Sequence, residues 1–251
     1  MAETRIILCG CLGKMGQNVR NEVKKTAGFV ITAGVDIAEA EDTGFPVYTS
    51  FDDIKEEADV IIDFSHYTML EKVLAYAEKK NLPAVLCTTG YTAEQKALIS
   101  KKSEELPLFY SANMSLGVNL QIKLAQLAHK FFGDSADIEI VEKHHNRKLD
   151  APSGTALAIA DAINEDNSFD YVYDRQSRHQ KRDKKEIGIS AVRGGNIVGE
   201  HEVFFICENE IIEIKHTAQS REVFAAGALR AAAFMKGKAA GLYNMNSILE
   251  S

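Results

Sequence analysis

The apolar run Ile6-Ile7-Leu8-Cys9 passes straight into Gly10-Cys11-Leu12-Gly13-Lys14-Met15-Gly16, and no other feature constrains the chain as strongly. A buried strand that turns on glycine and opens a helix begins a dinucleotide-binding βαβ unit. The glycines permit the tight turn, the approach of a pyrophosphate and the close packing of helix on strand. The helix that follows, Lys14 to Lys25, offers the free N–H groups of its first turn to a diphosphate. The spacing is GxxGxxG rather than the commoner GxGxxG. On the loop alone, a structural turn, a flavin site and an adenylated-nucleotide site all stay open.

Asp36 narrows the choice. It ends a second strand, Val30 to Val35, where a carboxylate accepts hydrogen bonds from the adenosine ribose hydroxyls. A local turn cap is its alternative role. At the ribose it would repel a 2′-phosphate, and Ile37 beside it brings no compensating charge. NADH is therefore expected in preference to NADPH, with Lys14 able to approach the phosphates of either.

Strand and helix signals keep alternating, with strands at 60–64, 84–87 and 108–110 and helices at 69–80 and 92–103. That order builds a parallel sheet. Thr88-Thr89-Gly90 leaves the sheet on the edge where such sheets bind ligands, and Asp63-Phe64-Ser65 leaves on the same edge. Asp63 reads equally well as a partner for local N–H groups.

Beyond Asn113 the pattern changes to a long helix (118–132), an alternating strand (137–141), a helix (153–163) and β-rich runs at 187–192, 197–206 and 211–216. Gly194-Gly195-Asn196 between two of those runs predicts a hairpin, and hence an antiparallel or mixed sheet. The polar stretch 164–185 reads as an irregular excursion, and its basic run from Arg175 to Lys185 as a solvated loop, with an anion-binding patch as the rival reading. The alanine-rich helix 221–235 is expected to return to the first domain. The fold class is thus α/β: a Rossmann-type parallel-sheet domain (1–113, with 221–251 packing back on it) and a second α+β domain with a mixed sheet (114–220).

A formal net charge of -7 argues against nucleic acid and acidic membranes as partners. No apolar run reaches the length of a membrane span. Cys9, Cys11, Cys87 and Cys207 form no CxxC pair and three lie in or beside apolar strands, which points to reduced thiols and the cytoplasm. An acidic protein that binds an anion must concentrate positive charge locally, and Lys143-His144-His145-Asn146-Arg147-Lys148 does so. The paired histidines lack HExxH spacing, so no metal is expected; buried structural histidines are the plainer alternative. Pro152 is compatible with a helix start, leaving Ser153, Gly154 and Thr155 to present N–H groups and two hydroxyls to a carboxylate. Cradle, cation and proton donor in one loop suit a compact dianion, a small dicarboxylate.

With the glycine loop, Cys87-Thr88-Thr89-Gly90, the run from Ser111 to Asn119, the stretch from Glu142 to Thr155 and Val198-Gly199-Glu200-His201, the chain resembles the 4-hydroxy-tetrahydrodipicolinate reductase (dihydrodipicolinate reductase) family of lysine and diaminopimelate biosynthesis. The HHxxKxDAPSGTA string from His144 to Ala156 is the most specific element, and the likeness runs on to Gly241-Leu242-Tyr243. The resemblance implies hydride transfer from the nicotinamide to the ring carbon conjugated with a cyclic imine, completed by a proton. It makes His144 the proton donor, near its normal pKa, and Lys148 its assistant and a carboxylate ligand. His145, Ser153, Gly154 and Thr155 would touch substrate, with Thr89 between substrate and nicotinamide. Gly10, Gly13, Lys14, Met15, Gly16, Asp36, Phe64, Thr88, Gly90 and Asn113 form the implied cofactor set. A homotetramer assembled through the middle domain is implied as well. Cys11-Leu12 replaces smaller residues common in the family's loop, and no arginine follows Asp36, which favours NADH. Another NAD(P)-dependent reductase of a small carboxylated substrate, or a non-catalytic NADH sensor, would share the glycine loop without needing the cradle.

Overall fold

The computed structural model describes residues 3–250. In chain order the first elements are Thr4–Cys9 (β1), Lys14–Lys25 (α1), Phe29–Val35 (β2), Val47–Tyr48 (β3), Val60–Asp63 (β4), Leu70–Lys80 (α2), Ala84–Leu86 (β5), Ala93–Lys102 (α3) and Pro107–Tyr110 (β6). Leu116–Phe132 (α4), Asp137–His144 (β7), Gly154–Ile163 (α5), Asp170–Val172 (β8), Glu186–Arg193 (β9), Gly199–Ile206 (β10) and Ile211–Ala218 (β11) follow. Glu222–Met235 (α6), Gly241–Tyr243 (β12) and Met245–Leu249 (α7) complete the set. Two compact units result: one holds the residues up to Ser115 and those from Arg221 on, the other Leu116–Ser220. Among the described residues, no helix is long and apolar enough to cross a membrane.

In the first unit a seven-stranded sheet runs β12-β6-β5-β4-β1-β2-β3, and every pairing is parallel. Its central strands are near-continuous apolar runs because helices cover both faces; Ile6, Ile7, Leu8, Ile61, Ile62, Val85 and Leu86 are fully buried. Helix ends follow local chemistry. Thr92 and Gln95 form a reciprocal capping box at the start of α3, and Asn81 closes α2 in the left-handed region. The chain order reverses at β1, which has β2 on one side and β4 on the other, and ligands bind at such a switch point. Cys9 is level with Val35 and with Asp63, so the loops leaving β1, β2 and β4 emerge side by side.

The second unit carries a five-stranded mixed sheet, β11-β10-β7-β9-β8, with α4 and α5 against one face. Its core gathers Ile138, Ile140, Ile159, Ile187, Val203 and Phe205. The expected hairpin at Gly194-Gly195-Asn196 does not form. β9 pairs in parallel with one edge of β7 while β10 pairs antiparallel with the other, so the loop must cross the end of β7. It is fastened there: the Gly194 N–H donates to the His144 carbonyl at 2.9 Å and the Asn146 N–H to the Gly195 carbonyl at 3.3 Å. The hairpin of this sheet is β10–β11, with Ile206 opposite Ile211.

Nor is the basic run a merely solvated loop. Arg175 bonds Glu139 and Glu186, Arg178 pairs with Glu186, Arg182 with Asp137 and Glu139, Lys184 with Asp137 and Lys185 with Asp134. Glu186 is only 3% exposed, and a buried carboxylate needs such partners. The run answers the protein's own acidic strand face, which leaves it poorly suited to an external anion. The stretch also contains β8, too short to show a pattern in sequence, as are β3 and β12.

Helix α6 packs on α1 and on β4, β5 and β6 within the first unit. A Cβ at Gly227 would lie 1.8 Å from the Met114 carbonyl oxygen, a backbone atom that cannot step aside. Gly227→Ala is therefore expected to destabilise: overpacking of up to about 3 kcal/mol exceeds the gain of about 1 kcal/mol in helix propensity. Urea unfolding of the variant should show a lower midpoint; an unchanged or higher one would contradict this packing.

Candidate active site

The glycine loop is built around what can and cannot fit. Gly10 has φ 73°, and a Cβ there would sit 2.6 Å from the Phe64 carbonyl oxygen. At Gly16 a Cβ would meet the Gly10 carbonyl at 2.2 Å, so only glycine lets α1 close on the loop. Gly13 differs. The nearest atom to its Cβ position is 3.4 Å away and the residue is exposed, so the protein itself leaves that face open above the start of α1.

The Asp36 carboxylate accepts the Leu12 N–H and the Ile37 N–H, each at 2.8 Å. It thus does act as a turn cap, fastening the glycine loop to the end of β2, and it does so while lining a crevice of about 710 Å³. Gly10, Gly13, Phe64 and Ser65 line the same crevice, together with His66 and Lys72, which sequence reasoning passed over. A tight glycine turn, an open helix start and a carboxylate at the neighbouring strand end fit a dinucleotide. Lys14 and Met15 occupy the first turn of α1.

Asp63 is fully buried at the end of β4. Its carboxylate accepts from the Ser65 N–H at 2.9 Å and hydroxyl at 2.5 Å, from the Thr88 hydroxyl at 3.1 Å and from the Tyr91 hydroxyl at 3.2 Å. Burial pushes its pKa up, against the pull of those four donors. The Thr88 hydroxyl, also 2.9 Å from the Ser65 carbonyl, is turned inward, whereas Thr89 and Gly90 are exposed on the rim. The Asn113 side chain accepts the Ser115 N–H at 2.9 Å.

In the second unit, alternation along β7 decides which side chains can meet. Lys143 points to the outer face, where it pairs with Glu202 at 2.8 Å and Glu200 at 3.6 Å. It therefore drops out of the predicted basic patch. Glu142 and His144 point inward with Ile138 and Ile140. Register sets Arg193 beside His144 and His201 beside Glu142.

Glu142 is 0% exposed, and each of its oxygens accepts two hydrogen bonds. One takes Arg193 at 2.6 Å and the Ser153 N–H at 3.0 Å; the other takes Arg193 at 2.8 Å and His144 Nδ1 at 2.6 Å. Burial alone would raise its pKa, but Arg193 and His144 hold it below the usual carboxylate value. Sequence reasoning gave neither Glu142 nor Arg193 a role. A charged residue on the buried face of a strand was the available signal, because such a charge demands a partner.

Burial pushes the His144 pKa down, only partly opposed by Glu142, with Lys148 and Arg193 adding to the fall. This corrects the expectation of an ordinary imidazole. The His201 ring lies 5.2 Å from it and is held neutral by burial, its pKa lowered to about 4.

Helix α5 begins at Gly154 with Ser153 as its N-cap, so Pro152 stands outside the helix. The Ser153 Oγ accepts the Ala156 N–H at 3.2 Å and contacts His201 Nε2 at 2.9 Å, while its N–H is held by Glu142. Ser153 therefore supports the cradle from inside. The exposed Gly154 and the half-buried Thr155 form its open edge. Lys148 ion-pairs with Asp150 at 2.8 Å, and His145 is half-buried with its Nδ1 unpartnered. Among the described residues, no cluster of three histidines, cysteines or carboxylates is placed to hold a metal ion. All four cysteines are free.

Two family models cover nearly the whole chain: dihydrodipicolinate reductase, N-terminus, at residues 4–114, and dihydrodipicolinate reductase, C-terminus, at 117–249. The 4-hydroxy-tetrahydrodipicolinate reductase of Clostridium tetani is 50% identical over 98% of this chain and 97% of its own. That of Caldanaerobacter subterraneus is 49% identical over 98% of both. Among solved structures, dipicolinate-bound dihydrodipicolinate reductase from Paenisporosarcina sp. TG-14 superposes with a TM-score of 0.82 at 24% identity, covering 97% of this chain and 99% of that one. The scyllo-inositol dehydrogenase of Lactobacillus casei, with bound NAD(H), reaches only 0.59 at 14% identity, over 99% and 89%. With half its residues shared end to end with such relatives, and with both family models matched, the chain belongs to the dihydrodipicolinate reductase family.

Proposed function

We propose that the protein is a 4-hydroxy-tetrahydrodipicolinate reductase, using NAD(P)H to reduce the cyclic imine to tetrahydrodipicolinate. The observation that carries the reading is the gathering of His144 and the approach to α5 on one buried carboxylate, with the Lys148 charge close enough to act on the His144 ring, in a family whose relatives bear that name. Dipicolinate, a pyridine with a carboxylate on each side of its nitrogen, is the ligand bound by the Paenisporosarcina relative. It has the compact dianionic shape this loop suits.

NAD(P)H supplies the hydride when bound, along Gly10, Gly13, Lys14, Met15, Gly16 and Asp36, with Phe64, Thr88, Gly90 and Asn113 around it. The residues of the second unit do the rest. The start of α5, where the helix dipole favours negative charge, receives one substrate carboxylate at Gly154 and Thr155. Lys148 leaves Asp150, which is 59% exposed, for the substrate; a solvent-facing pair of this kind is worth about 1 kcal/mol or less, so the exchange costs little. His145 adds a contact from the same loop, and Thr89 is assigned to the substrate as the family resemblance implies. His144 delivers a proton from Nε2 to the ring as the hydride arrives.

Asp36 at the ribose favours NADH, because it is an anion and Ile37, 94% exposed, adds no charge. The middle unit leaves Leu120, Leu124, Leu127 and Phe131 of α4 uncovered, with Ile211 and Ile212 on β11. Apolar surface of this extent supports a homotetramer assembled through that unit. Free, mostly buried thiols support residence in the cytoplasm.

Lys148→Ala should lower turnover on the order of a hundredfold, as loss of one preorganised charge does, while NADH affinity changes little. Stopped-flow reduction and cofactor titration measure the two, and equal loss of both would contradict the assignment. Asp36→Ala weakens both cofactors through the Leu12 contact but should cost NADH more than NADPH. The ratio of kcat/KM values reads this directly, and an unchanged ratio would place Asp36 away from the ribose.

A further inference from the structure

We propose that Glu142 is the positioning residue of the imidazole: clamped by Arg193 and the Ser153 N–H, its carboxylate fixes His144 as an Nδ1 donor and leaves Nε2 to face the substrate side over the bare Cα of Gly199. The inference deepens the proposed function and rests on its assignment of His144 as proton donor.

Three observations carry it. First, the Glu142 carboxylate is saturated, with four hydrogen bonds from three residues between 2.6 and 3.0 Å. Of these donors, His144 alone is a group able to lose a proton near neutral pH. Arg193 and the Ser153 N–H serve to keep the carboxylate in place and ionised. Second, the ring cannot turn over without cost. Exchanging Nδ1 for Nε2 would leave a buried carboxylate lone pair facing carbon. Third, Gly199 of β10 lies against the other nitrogen. A Cβ at that position would come 3.1 Å from His144 Nε2, so any side chain there would cover the atom that must reach substrate.

The proton arithmetic closes on these residues. The imidazolium carries N–H at both nitrogens; Nδ1–H stays with Glu142 and the Nε2 proton goes to the ring carbon next to the one that receives the hydride, where the electron pair of the reduced double bond is left. The electron pair of the broken N–H bond remains on Nε2, which takes a replacement proton from solvent. Glu142 never changes protonation state. The other charged or titratable groups around the ring are Lys148 and Asp150 from the loop, Arg193 from β9 and His201 from β10. Lys148, Arg193 and a neutral His201 give the ring no anionic partner, and Asp150 is tied to Lys148. Glu142 is thus the counter-ion that favours the protonated ring, against burial and the two cations.

The test is Glu142→Gln in the full-length enzyme, read in two ways. Loss of the anion makes His144 easier to deprotonate, so activity that needs the imidazolium is lost at lower pH. The alkaline limb of the kcat profile should move down by about one pH unit, a tenfold loss on that limb, and the His144 ring should titrate correspondingly lower by NMR. Binding of NADH stays within twofold. Glu142→Asp should restore part of the limb, which a merely structural role would not do. Should Glu142→Gln not fold, the wild-type enzyme still decides: a downfield-shifted Nδ1–H resonance absent from His144→Asn is expected, and its absence from wild type overturns the proposal. If His144→Asn keeps the wild-type limb, the donor assignment has failed and the proposal falls with it. If His144→Asn loses the limb while Glu142→Gln leaves both limb and ring titration unmoved, the donor assignment stands and the role of Glu142 alone is overturned.

Discussion

A carboxylate with no access to water has to be given its hydrogen bonds by the protein, and in the second unit that requirement organises the residues around the proposed site. Glu142 draws Arg193 from the neighbouring strand, the Ser153 N–H from the approach to α5 and the His144 ring from its own strand. Removing one partner of such a cluster leaves a buried charge uncompensated, which commonly costs 3–5 kcal/mol or so. The cluster therefore ties the helix start, the imidazole and the end of β9 into one arrangement. Ser153 extends it by capping α5 and touching His201.

The first unit uses the same device at its sheet edge. Asp63 gathers Ser65, Thr88 and Tyr91, and so shapes the loops after β4 and β5 beside the glycine turn. Asp36 does likewise for the loop itself through the Leu12 N–H. In both units acidic residues at strand ends hold the backbone, while the open surfaces, at Gly13 and at Gly154, are left to N–H groups. N–H-lined surfaces favour anions. This explains how a chain of net charge -7 can offer sites to a diphosphate and a dicarboxylate.

Much of this was legible in the residues. The period of the pattern located α1 at Lys14–Lys25 and most strands to within a residue or two, because long buried runs carry strong signals. The loop from His144 to Thr155 announced itself by density of function. What escaped depends on which strands are neighbours. A glycine turn between two β-rich runs reads as a hairpin, and only the insertion of β7 between β9 and β10 shows otherwise. Arg193 and Glu142 stand 51 residues apart and meet through that same insertion, so no local pattern could join them. Likewise, Lys143 and Lys148 look equivalent in sequence, yet the pleat sends the first to the outer face. The basic run at 175–185 resembled free charge because its carboxylates lie on other strands.

The proposed function requires the dianion to be held at the start of α5 and by Lys148, with the imidazole alongside. A crystal structure with pyridine-2,6-dicarboxylate measures this directly. The expected result is one carboxylate on the Gly154 and Thr155 N–H groups and the Lys148 ammonium drawn from Asp150 to the ligand. A dicarboxylate seated instead on Arg175, Arg178 and Arg182, or Lys148 still paired with Asp150 beside a bound ligand, would contradict it.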